Sequence, residues 1–417
     1  MESIILLLFR VDLVYFFYFT RFGSGIWAWH SYQACHFSCN ISQVQNMKRN
    51  IFALCMGILL LFAASSASAD IKIGLMCPLT GKWASEGQDM KNIVSLLVDE
   101  ANARGGINGQ KIELVIEDDA GDPRTAALAA QKLASSGIVA AIGTYGSAVT
   151  EASQNIFDES GIVQIGTGST SVRLTEKGLP LFFRTSPRDD AQGKSAAGVI
   201  EKGDYKRVAI LHDNSSYARG LAEETRAVLK KNDIPVIFFD ALTPGERDYT
   251  AILTKLKGAD PDLVFYTGYY PETGMLLRQK KEMGWSVPMM GGDAANHEDL
   301  VKIAGPEAAA GYFFISPALP QDLQSDQARH FLDAFKAKYG SLPVSVWAIL
   351  AGDAFKCIEA ALASGADTPE KIAAWLKQQK DLPGISGSLG FDERGDRIGE
   401  FYRTYIVDKE GKFRLQP

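Results

Sequence analysis

Cysteine and histidine, which supply many metal sites and nucleophiles, are scarce in this chain of 417 residues. It has five of each, and only Cys77 and Cys357 among the cysteines follow residue 69. Two cysteines form at most one disulfide and exclude a zinc site built from a cysteine cluster. None of the three histidines after residue 69 (His212, His297 and His330) has a serine, threonine or cysteine beside it in the sequence. His212, which follows a predicted strand, therefore fits a structural role better than that of a general base.

Motifs of the common catalytic and nucleotide-binding folds are missing as well. There is no Gly-x-Ser-x-Gly elbow, no His-Glu-x-x-His pair and no Gly-x-Gly-x-x-Gly after a strand. Residues 188–195 end like a phosphate-binding loop, but Arg188 stands where the first glycine is required. The carboxylate pairs Asp118–Asp119 and Asp189–Asp190 fall at a loop and a helix start, where caps and solvated faces are common. The chain is therefore predicted not to be an enzyme and to need no cofactor or metal. A hydrolase or dehydrogenase is the disfavoured alternative.

Residues 47–69 have the layout of a secretory signal peptide. A short basic region, 47–50, precedes an apolar run, 51–64, and Ala67-Ser-Ala69 forms a small-residue cleavage site. The apolar run is too short to span a membrane comfortably. We therefore expect the mature protein to begin at Asp70 and to reside in the periplasm.

Residues 1–46 are rich in aromatic residues, and their apolar run is broken by Arg10 and Asp12. Two interpretations remain open for this segment. It is either an extension upstream of the true start at Met47 or a weak membrane segment.

The charge and the remaining composition describe a globular chain with room for two domains. Hydrophobic residues make up 46% and charged residues 22%, and the formal net charge is −6. An acidic protein is a poor partner for nucleic acid or an anionic membrane surface. We expect neither.

From residue 70 onward, short apolar strands alternate with amphipathic helices. The strands predicted on this basis are 71–76, 111–117, 138–142, 162–165, 207–211, 236–239, 263–266 and 287–290. Repeated βα units predict parallel sheets covered by helices on both faces. The series begins again after residue 184, which favours an α/β protein with two lobes.

Two loops rich in glycine, serine and threonine follow neighbouring strands. They are residues 143–150 and 164–171. Ligands bind at the carboxyl ends of strands in open α/β sheets, and small hydroxyl and N–H groups there hold carboxylates or phosphates. Ordinary strand-to-helix loops with N-caps are the alternative.

Several segments together resemble the periplasmic leucine/isoleucine/valine-binding proteins that serve ABC importers. The matching segments are 103–109, 118–123, 211–217, 220–222, 244–249, 268–272 and 391–396. The resemblance covers nearly all of the chain after residue 69. It implies a type I periplasmic-binding-protein fold, in which two lobes of mostly parallel sheet flanked by helices close on a cleft.

The resemblance also implies the lobe boundaries and the function. Lobe 1 would comprise 70–186 and 319–385, and lobe 2 would comprise 187–318 and 386–417. The protein would be a monomer that captures an amino acid, branched-chain or aliphatic first, and delivers it to an inner-membrane ABC permease. The open alternatives are another amino acid, a small amide, or a ligand-sensing role outside the cytoplasm.

The same resemblance assigns the residues of the site. On lobe 1, Ser147 and Thr170 would donate to the ligand carboxylate, Gly168 would accept from the ammonium through its carbonyl, and Ser169 lies between them. On lobe 2, Tyr217 and Tyr269 would be aromatic contacts and Asp293 the ammonium partner, where the family has glutamate.

The part of the site that would receive the ligand side chain departs from the family pattern. Trp83, Tyr145 and Ser345 occupy lining positions, and Glu86 stands where relatives have an aromatic residue. A more polar or longer ligand is therefore open, with Trp83 as a replacement aromatic. Gly121 and Gly146 replace a cysteine pair of relatives, so no disulfide is expected there.

Overall fold

The computed structural model describes residues 3–10, 13–22, 26–31 and 70–416. The chain divides into two compact units, Met1–Ser68 and Ala69–Pro417. In the first unit, three antiparallel strands, β1 (Ser3–Arg10), β2 (Leu13–Phe22) and β3 (Ile26–Ser31), form one sheet. The predicted signal peptide lies outside the described residues. No helix in the described part of the chain is long and apolar enough to span a membrane.

The second unit contains two larger sheets. The strands, in chain order, are β4 (Ile71–Cys77), β5 (Ile112–Asp118), β6 (Ala140–Ile142), β7 (Val163–Gly166), β8 (Phe182–Arg184), β9 (Val208–His212), β10 (Val236–Ala241), β11 (Leu263–Tyr266), β12 (Met289–Gly291), β13 (Phe313–Ser316), β14 (Leu382–Gly384), β15 (Gly387–Leu389), β16 (Arg403–Val407) and β17 (Phe413–Leu415). The first sheet has the order β5-β4-β6-β7-β8 and is parallel throughout. The second has the order β10-β9-β11-β12-β13-β16-β17. Its pairs β13–β16 and β16–β17 are antiparallel, so β16 alone runs opposite to the other strands. Strands β14 and β15 form a separate hairpin.

Helices cover the two sheets. They are α1 (Ala84–Ala103), α2 (Pro123–Ser135), α3 (Ser147–Glu159), α4 (Arg173–Glu176), α5 (Asp189–Lys202), α6 (Ser216–Lys231), α7 (Thr250–Gly258), α8 (Tyr270–Glu282), α9 (Asp299–Ala304), α10 (Pro306–Ala309), α11 (Asp326–Tyr339), α12 (Val346–Ala363) and α13 (Pro369–Gln378). Helices α1, α2, α3, α12 and α13 contact strands of the first sheet, and α5 and α6 contact strands of the second. The predicted α/β alternation is confirmed.

The central strands of both sheets are buried because most of their residues are apolar. Strands β6, β7, β8 and β9 are buried along their whole length. A strand that helices cover on both faces has no solvent side, so it lacks the alternation of a half-exposed strand. Gln164 in β7 and His212 in β9 are polar and buried exceptions, and Arg184 at the end of β8 is charged and fully buried. Its partners are part of the site described below.

The chain passes between the two sheets three times. It leaves the first sheet after β8, returns after β13 to form α12, and crosses again between β15 and β16. We use lobe 1 for the first sheet with the helices on it and lobe 2 for the second sheet with its own. The exact lobe boundaries drawn from the sequence stay a prediction.

Candidate functional site

The two predicted loops of lobe 1 lie side by side at the carboxyl end of the sheet. Gly146 is the N-cap of α3, and Ser147 is the first residue of this helix. The hydroxyl of Ser147 accepts a hydrogen bond from the N–H of Ser171 at 3.2 Å. The carbonyl of Thr144 accepts from the N–H of Gly168 at 3.1 Å. These bonds bring the loop after β6 and the loop after β7 into one surface at a helix N-terminus, where an anion is favoured.

Ser169 and Thr170 differ in how their hydroxyls are used. The Ser169 hydroxyl bonds within lobe 1, to the hydroxyl of Thr150 and to the carbonyl of Thr144 at 3.1 Å. Thr170 Oγ1 is buried and makes no hydrogen bond of ordinary geometry with the described residues. This hydroxyl lowers the pKa of Asp189 against the larger effect of burial, so the Asp189 carboxyl is its partner, and a ligand carboxylate would compete for the same donor.

Arg184 binds the backbone of the loop that follows β7. Its guanidinium donates to the carbonyls of Ser169 at 3.2 Å and Ser171 at 2.8 Å. It also donates to the carboxylate of Asp396, on the third crossing segment, at 2.5 Å. The second oxygen of Asp396 accepts from Arg188 at 2.8 Å. A charged group buried in this way requires such partners, and here they fix the backbone of the loop.

On lobe 2, Asp293 follows β12 and is surrounded by hydrogen-bond donors. Its carboxylate accepts from Gln192 Nε2 at 2.6 Å, from the Tyr217 hydroxyl at 3.0 Å and from the Tyr402 hydroxyl at 3.1 Å. Its own N–H donates to Gln192 Oε1 at 3.1 Å. Burial raises the pKa of Asp293 to about 7, although the three donors act in the opposite direction.

A second buried carboxylate, Asp189, lies next to Asp293. Gln192 Nε2 donates to both, at 3.2 Å to Asp189 and 2.6 Å to Asp293. Burial first, and then the charge of Asp293, raise the pKa of Asp189 well above its ordinary value. The N–H of Asp189 donates to the carbonyl of Thr170 at 2.9 Å, and its Oδ2 makes no hydrogen bond of ordinary geometry with the described residues. Asp189 therefore connects the lobe 1 loop to Asp293.

Aromatic rings from the two lobes contact one another beside Asp293. The ring of Tyr269 lies 5.3 Å from Tyr217 and 4.4 Å from Trp83, centroid to centroid. Tyr145 lies 5.2 Å from Trp83 and 6.3 Å from Trp347. We call these five residues the aromatic cluster. All five are buried, with at most 5% of each exposed.

Trp83 lies against Gly121 and Gly146, the two positions where the resemblance implies a cysteine pair in relatives. A Cβ atom added to Gly121 would lie 2.6 Å from the Trp83 ring, and one added to Gly146 would lie 2.9 Å from it. Neither position has room for a larger side chain while Trp83 stays where it is. The two glycines therefore allow the indole to lie against the backbone. Elsewhere, Cys77 and Cys357 are buried and not paired with each other.

Glu86, in the first turn of α1, is completely buried and bonded to Ser345. The Ser345 hydroxyl lies 2.7 and 2.6 Å from the two carboxyl oxygens of Glu86. Burial raises the pKa of Glu86 to about 8, against the opposing effect of the Ser345 hydrogen bond. The side chain is therefore largely a neutral acid at pH 7.

Comparison with known proteins agrees with this arrangement. A family model described as periplasmic binding protein matches residues 70–412. The chain belongs to the periplasmic binding protein family. The Leu/Ile/Val-binding protein BraC3 of Rhizobium johnstonii is 34% identical over 345 residues, which are 82% of this chain and 93% of that protein. A leucine-, isoleucine-, valine-, threonine- and alanine-binding protein of Pseudomonas aeruginosa is 34% identical over 354 residues, 84% and 93% of the two chains.

Solved structures show the same fold. The substrate-binding protein LivJ of Streptococcus pneumoniae, in complex with isoleucine, is similar with a TM-score of 0.76 and 33% identity. The match covers 83% of this chain and 99% of LivJ. The leucine-binding protein LivK of Thermotoga maritima has a TM-score of 0.77 and 27% identity, over 83% and 98%. The fold of this periplasmic binding protein is therefore type I, as predicted.

In this periplasmic binding protein, contacts connect all nine residues predicted for the site. Tyr217 bonds Asp293, and the aromatic cluster leads from Tyr217 through Tyr269 and Trp83 to Tyr145. A Cβ atom on Gly168 would lie 2.6 Å from the Tyr145 ring. The others, Ser147, Ser169 and Thr170, lie on the two loops of lobe 1. Their roles toward a ligand stay predictions.

Sequence reasoning missed four residues of this site. Asp189 was interpreted as a cap or a solvated residue, but it is buried, because the first turn of α5 packs under the loop of Thr170. Gln192, Tyr402 and Arg184 were not identified. The spacing of Asp189 and Gln192, three residues apart at a helix start, is a weak signal that both face the same side. Tyr402 comes from the far end of the chain and carries no local signal.

Proposed function

We propose that this protein is the substrate-binding component of an ABC importer and captures an α-amino acid in the periplasm. One observation supports this most: the Thr170 loop of lobe 1 and the buried carboxylate of Asp293 on lobe 2 are joined through Asp189 and Gln192, and Asp293 bonds Tyr217 of the aromatic cluster. The branched-chain amino acids are the first candidates, since the names of the similar proteins specify leucine, isoleucine and valine.

The chemistry of the site fits a zwitterion. The ammonium of the ligand would pair with Asp293, and its carboxylate would bond to Thr170, Ser147 and the N-terminus of α3. Both charges must be met, because an unpaired charge removed from water costs several kcal/mol. Lobe 1 would supply the partners of the carboxylate and the carbonyl of Gly168 for the ammonium, whereas the charged partner of the ammonium, Asp293, lies on lobe 2. Tight binding therefore requires both lobes. The aromatic cluster supplies the apolar walls.

The other parts of the proposal rest on the family and on the sequence. The protein would be exported by the signal peptide at 47–69, act as a monomer and deliver its ligand to a permease without chemical change. The site contains no nucleophile paired with a base in its described part, and its carboxylates are instead surrounded by donors. This arrangement supports binding rather than catalysis.

A thermal-shift screen of the purified protein against the twenty amino acids tests the proposal. A ligand present at one hundred times its dissociation constant stabilises the folded state by about 2.7 kcal/mol. We expect a rise in melting temperature of several degrees with at least one amino acid. Calorimetry then measures the affinity of each positive. If no amino acid raises the melting temperature, the proposed ligand class is wrong.

A further inference from the structure

We propose that Glu86 and Ser345 make this site select an α-amino acid whose side chain has a neutral hydrogen-bonding group, an amide or a hydroxyl, over its aliphatic isostere. The inference rests on the proposed function, because it assumes that an amino acid occupies the site. It adds the class of side chain, which the carboxylate and ammonium partners leave undetermined.

Glu86 lies at the end of the aromatic cluster opposite Asp293. The cluster runs from Tyr217, which bonds Asp293, through Tyr269 and Trp83 to Tyr145 and Trp347. Glu86 follows Trp83 by three residues, on the same side of the first turn of α1. Ser345 precedes Trp347 by two residues, as the N-cap of α12. An amino acid whose ammonium meets Asp293 would therefore extend its side chain toward the Glu86–Ser345 pair.

The effects of Glu86 and Asp293 on the pKa values of the tyrosines agree with the order of the residues along the cluster. The pKa of Tyr145 is raised by burial first and by Glu86 next, whereas Asp293 has a smaller effect on it. The pKa of Tyr217 is raised by burial first and by Asp293 next. Each carboxyl therefore acts chiefly on the tyrosine at its own end of the cluster.

Two further polar groups at the Glu86 end have no partner. The indole N–H groups of Trp83 and Trp347 are buried and make no hydrogen bond with any described residue. An unmet buried donor costs about 1–3 kcal/mol. An aliphatic ligand side chain leaves them unmet in the closed site, while the oxygen of an amide or hydroxyl can accept from one of them.

The state of Glu86 decides which polar side chain fits. A carboxyl with a pKa of about 8 is mostly protonated at pH 7, so it offers both a donor and an acceptor. An amide matches both, and a hydroxyl can donate or accept. A cationic side chain would instead require Glu86 to lose its proton in a fully buried position, which burial opposes.

A purely structural role for Glu86 is the competing explanation. The hydrogen bond between Ser345 and Glu86 connects the start of α12 to α1. Asp89, also on α1, makes a second connection by accepting a hydrogen bond from the N–H of Val344 at 2.7 Å. If Glu86 serves only to connect the two helices, replacing it lowers the free energy of unfolding and leaves the ligand preference unchanged. Asp89→Ala is therefore the matched control, because it removes the second of these connections between α1 and the start of α12, one helical turn from Glu86.

The experiment compares ligands that share a shape and differ in polarity. Calorimetry measures affinities for asparagine against leucine and for threonine against valine, with lysine as the cationic probe. We expect the unmodified protein to prefer at least one polar member over its isostere by about tenfold or more. Glu86→Leu should reduce that preference at least tenfold, Glu86→Gln should retain most of it, and Asp89→Ala should leave it unchanged.

Each outcome supports or overturns the inference, because the ratio of the affinities of two ligands for the same variant does not depend on the stability of that variant. Equal or tighter binding of both aliphatic members by the unmodified protein overturns the inference and leaves the proposed function standing. The inference is also overturned if Glu86→Leu keeps the preference for the polar ligand. It is overturned as well if lysine binds more tightly than every neutral ligand. Failure of every amino acid to bind overturns the proposed function, and the inference with it.

Discussion

At the scale of the residue, the site is defined by carboxyl groups that the fold buries and surrounds with donors. Asp293 is held by Gln192, Tyr217 and Tyr402, which fix its position without neutralising it. No arginine or lysine is among its hydrogen-bond partners in the described structure. A buried carboxylate of this kind is costly by itself and becomes favourable when a cation arrives. The ammonium of an amino acid is such a cation.

The first prediction concerns this carboxylate. Asp293→Asn keeps the shape and removes the charge, so the ligand ammonium would be buried without a counterion. Breaking a buried pair costs about 3–5 kcal/mol, which corresponds to roughly a 100- to 5000-fold loss of affinity. Calorimetry with the amino acid that the screen identifies measures this loss.

Asp260→Asn is the control for this prediction. Asp260 belongs to the same lobe, and 92% of its side chain is exposed. It should bind the ligand with the affinity of the unmodified protein. If Asp293→Asn also binds normally, the ammonium is held by Asp189 instead, and the ammonium assignment on lobe 2 is wrong.

At the scale of the element, the sequence was most informative where local chemistry decides the structure. Apolar strands, helix periodicity and the two glycine-rich loops were sufficient to predict an α/β fold and the edge of the sheet that carries the site. They were insufficient for contacts between segments far apart in the chain. Arg184 and Asp396 are 212 residues apart, and nothing near either one indicates the other.

This distant pair matters because it holds the ligand loop in place. Asp396 on the third crossing binds Arg184, and Arg184 binds the carbonyls of Ser169 and Ser171. Burial alone would raise the pKa of Asp396, but Arg184 and Arg188 outweigh burial and hold it below the ordinary value. The stability that this carboxylate contributes is therefore present above pH about 4 and is lost as the pH falls through its lowered pKa.

The second prediction follows from the same pair. Asp396→Asn leaves the guanidinium of Arg184 buried with no counterion, and the free energy of unfolding should fall by about 3–5 kcal/mol. Urea unfolding at pH 7 measures the change. Asp326→Asn removes an exposed partner of Arg329 and should leave the unfolding midpoint where it is. An Asp396→Asn midpoint equal to that of the unmodified protein would contradict the role given to this pair.

At the scale of the whole molecule, the described structure is closed. Among the described residues, several hydrogen bonds join lobe 1 to lobe 2 outside the ligand site, and three of them lie away from the crossing segments. The Tyr270 hydroxyl donates to the carbonyl of Lys82 at 3.2 Å, the Ser85 hydroxyl donates to Asp299 at 3.1 Å, and Arg173 donates to the Ser216 hydroxyl at 2.8 Å. No local pattern of the sequence indicates these pairings, because the two members of each pair lie on different lobes.

The last prediction is that the ligand drives this closure and that the bonds between the lobes contribute to affinity. Because the complete set of polar partners for a zwitterion comes from both lobes, the ligand binds the closed form better and shifts the population toward it. Small-angle scattering should show a smaller radius of gyration at saturating ligand. The double variant Ser85→Ala/Tyr270→Phe removes two bonds of about 0.5–1 kcal/mol each and should weaken binding by about 5- to 30-fold.

The control for closure removes the same two kinds of hydroxyl within lobe 1. Ser135→Ala/Tyr339→Phe deletes bonds to the carbonyls of Gln131 and Asn92, which do not cross the cleft. It should bind the ligand as the unmodified protein does. The test variant should still contract when enough ligand is added, because its polar partners for the zwitterion are intact. A radius that ligand does not change, together with unaltered affinity in the test variant, would mean that the lobes are fixed in the closed arrangement.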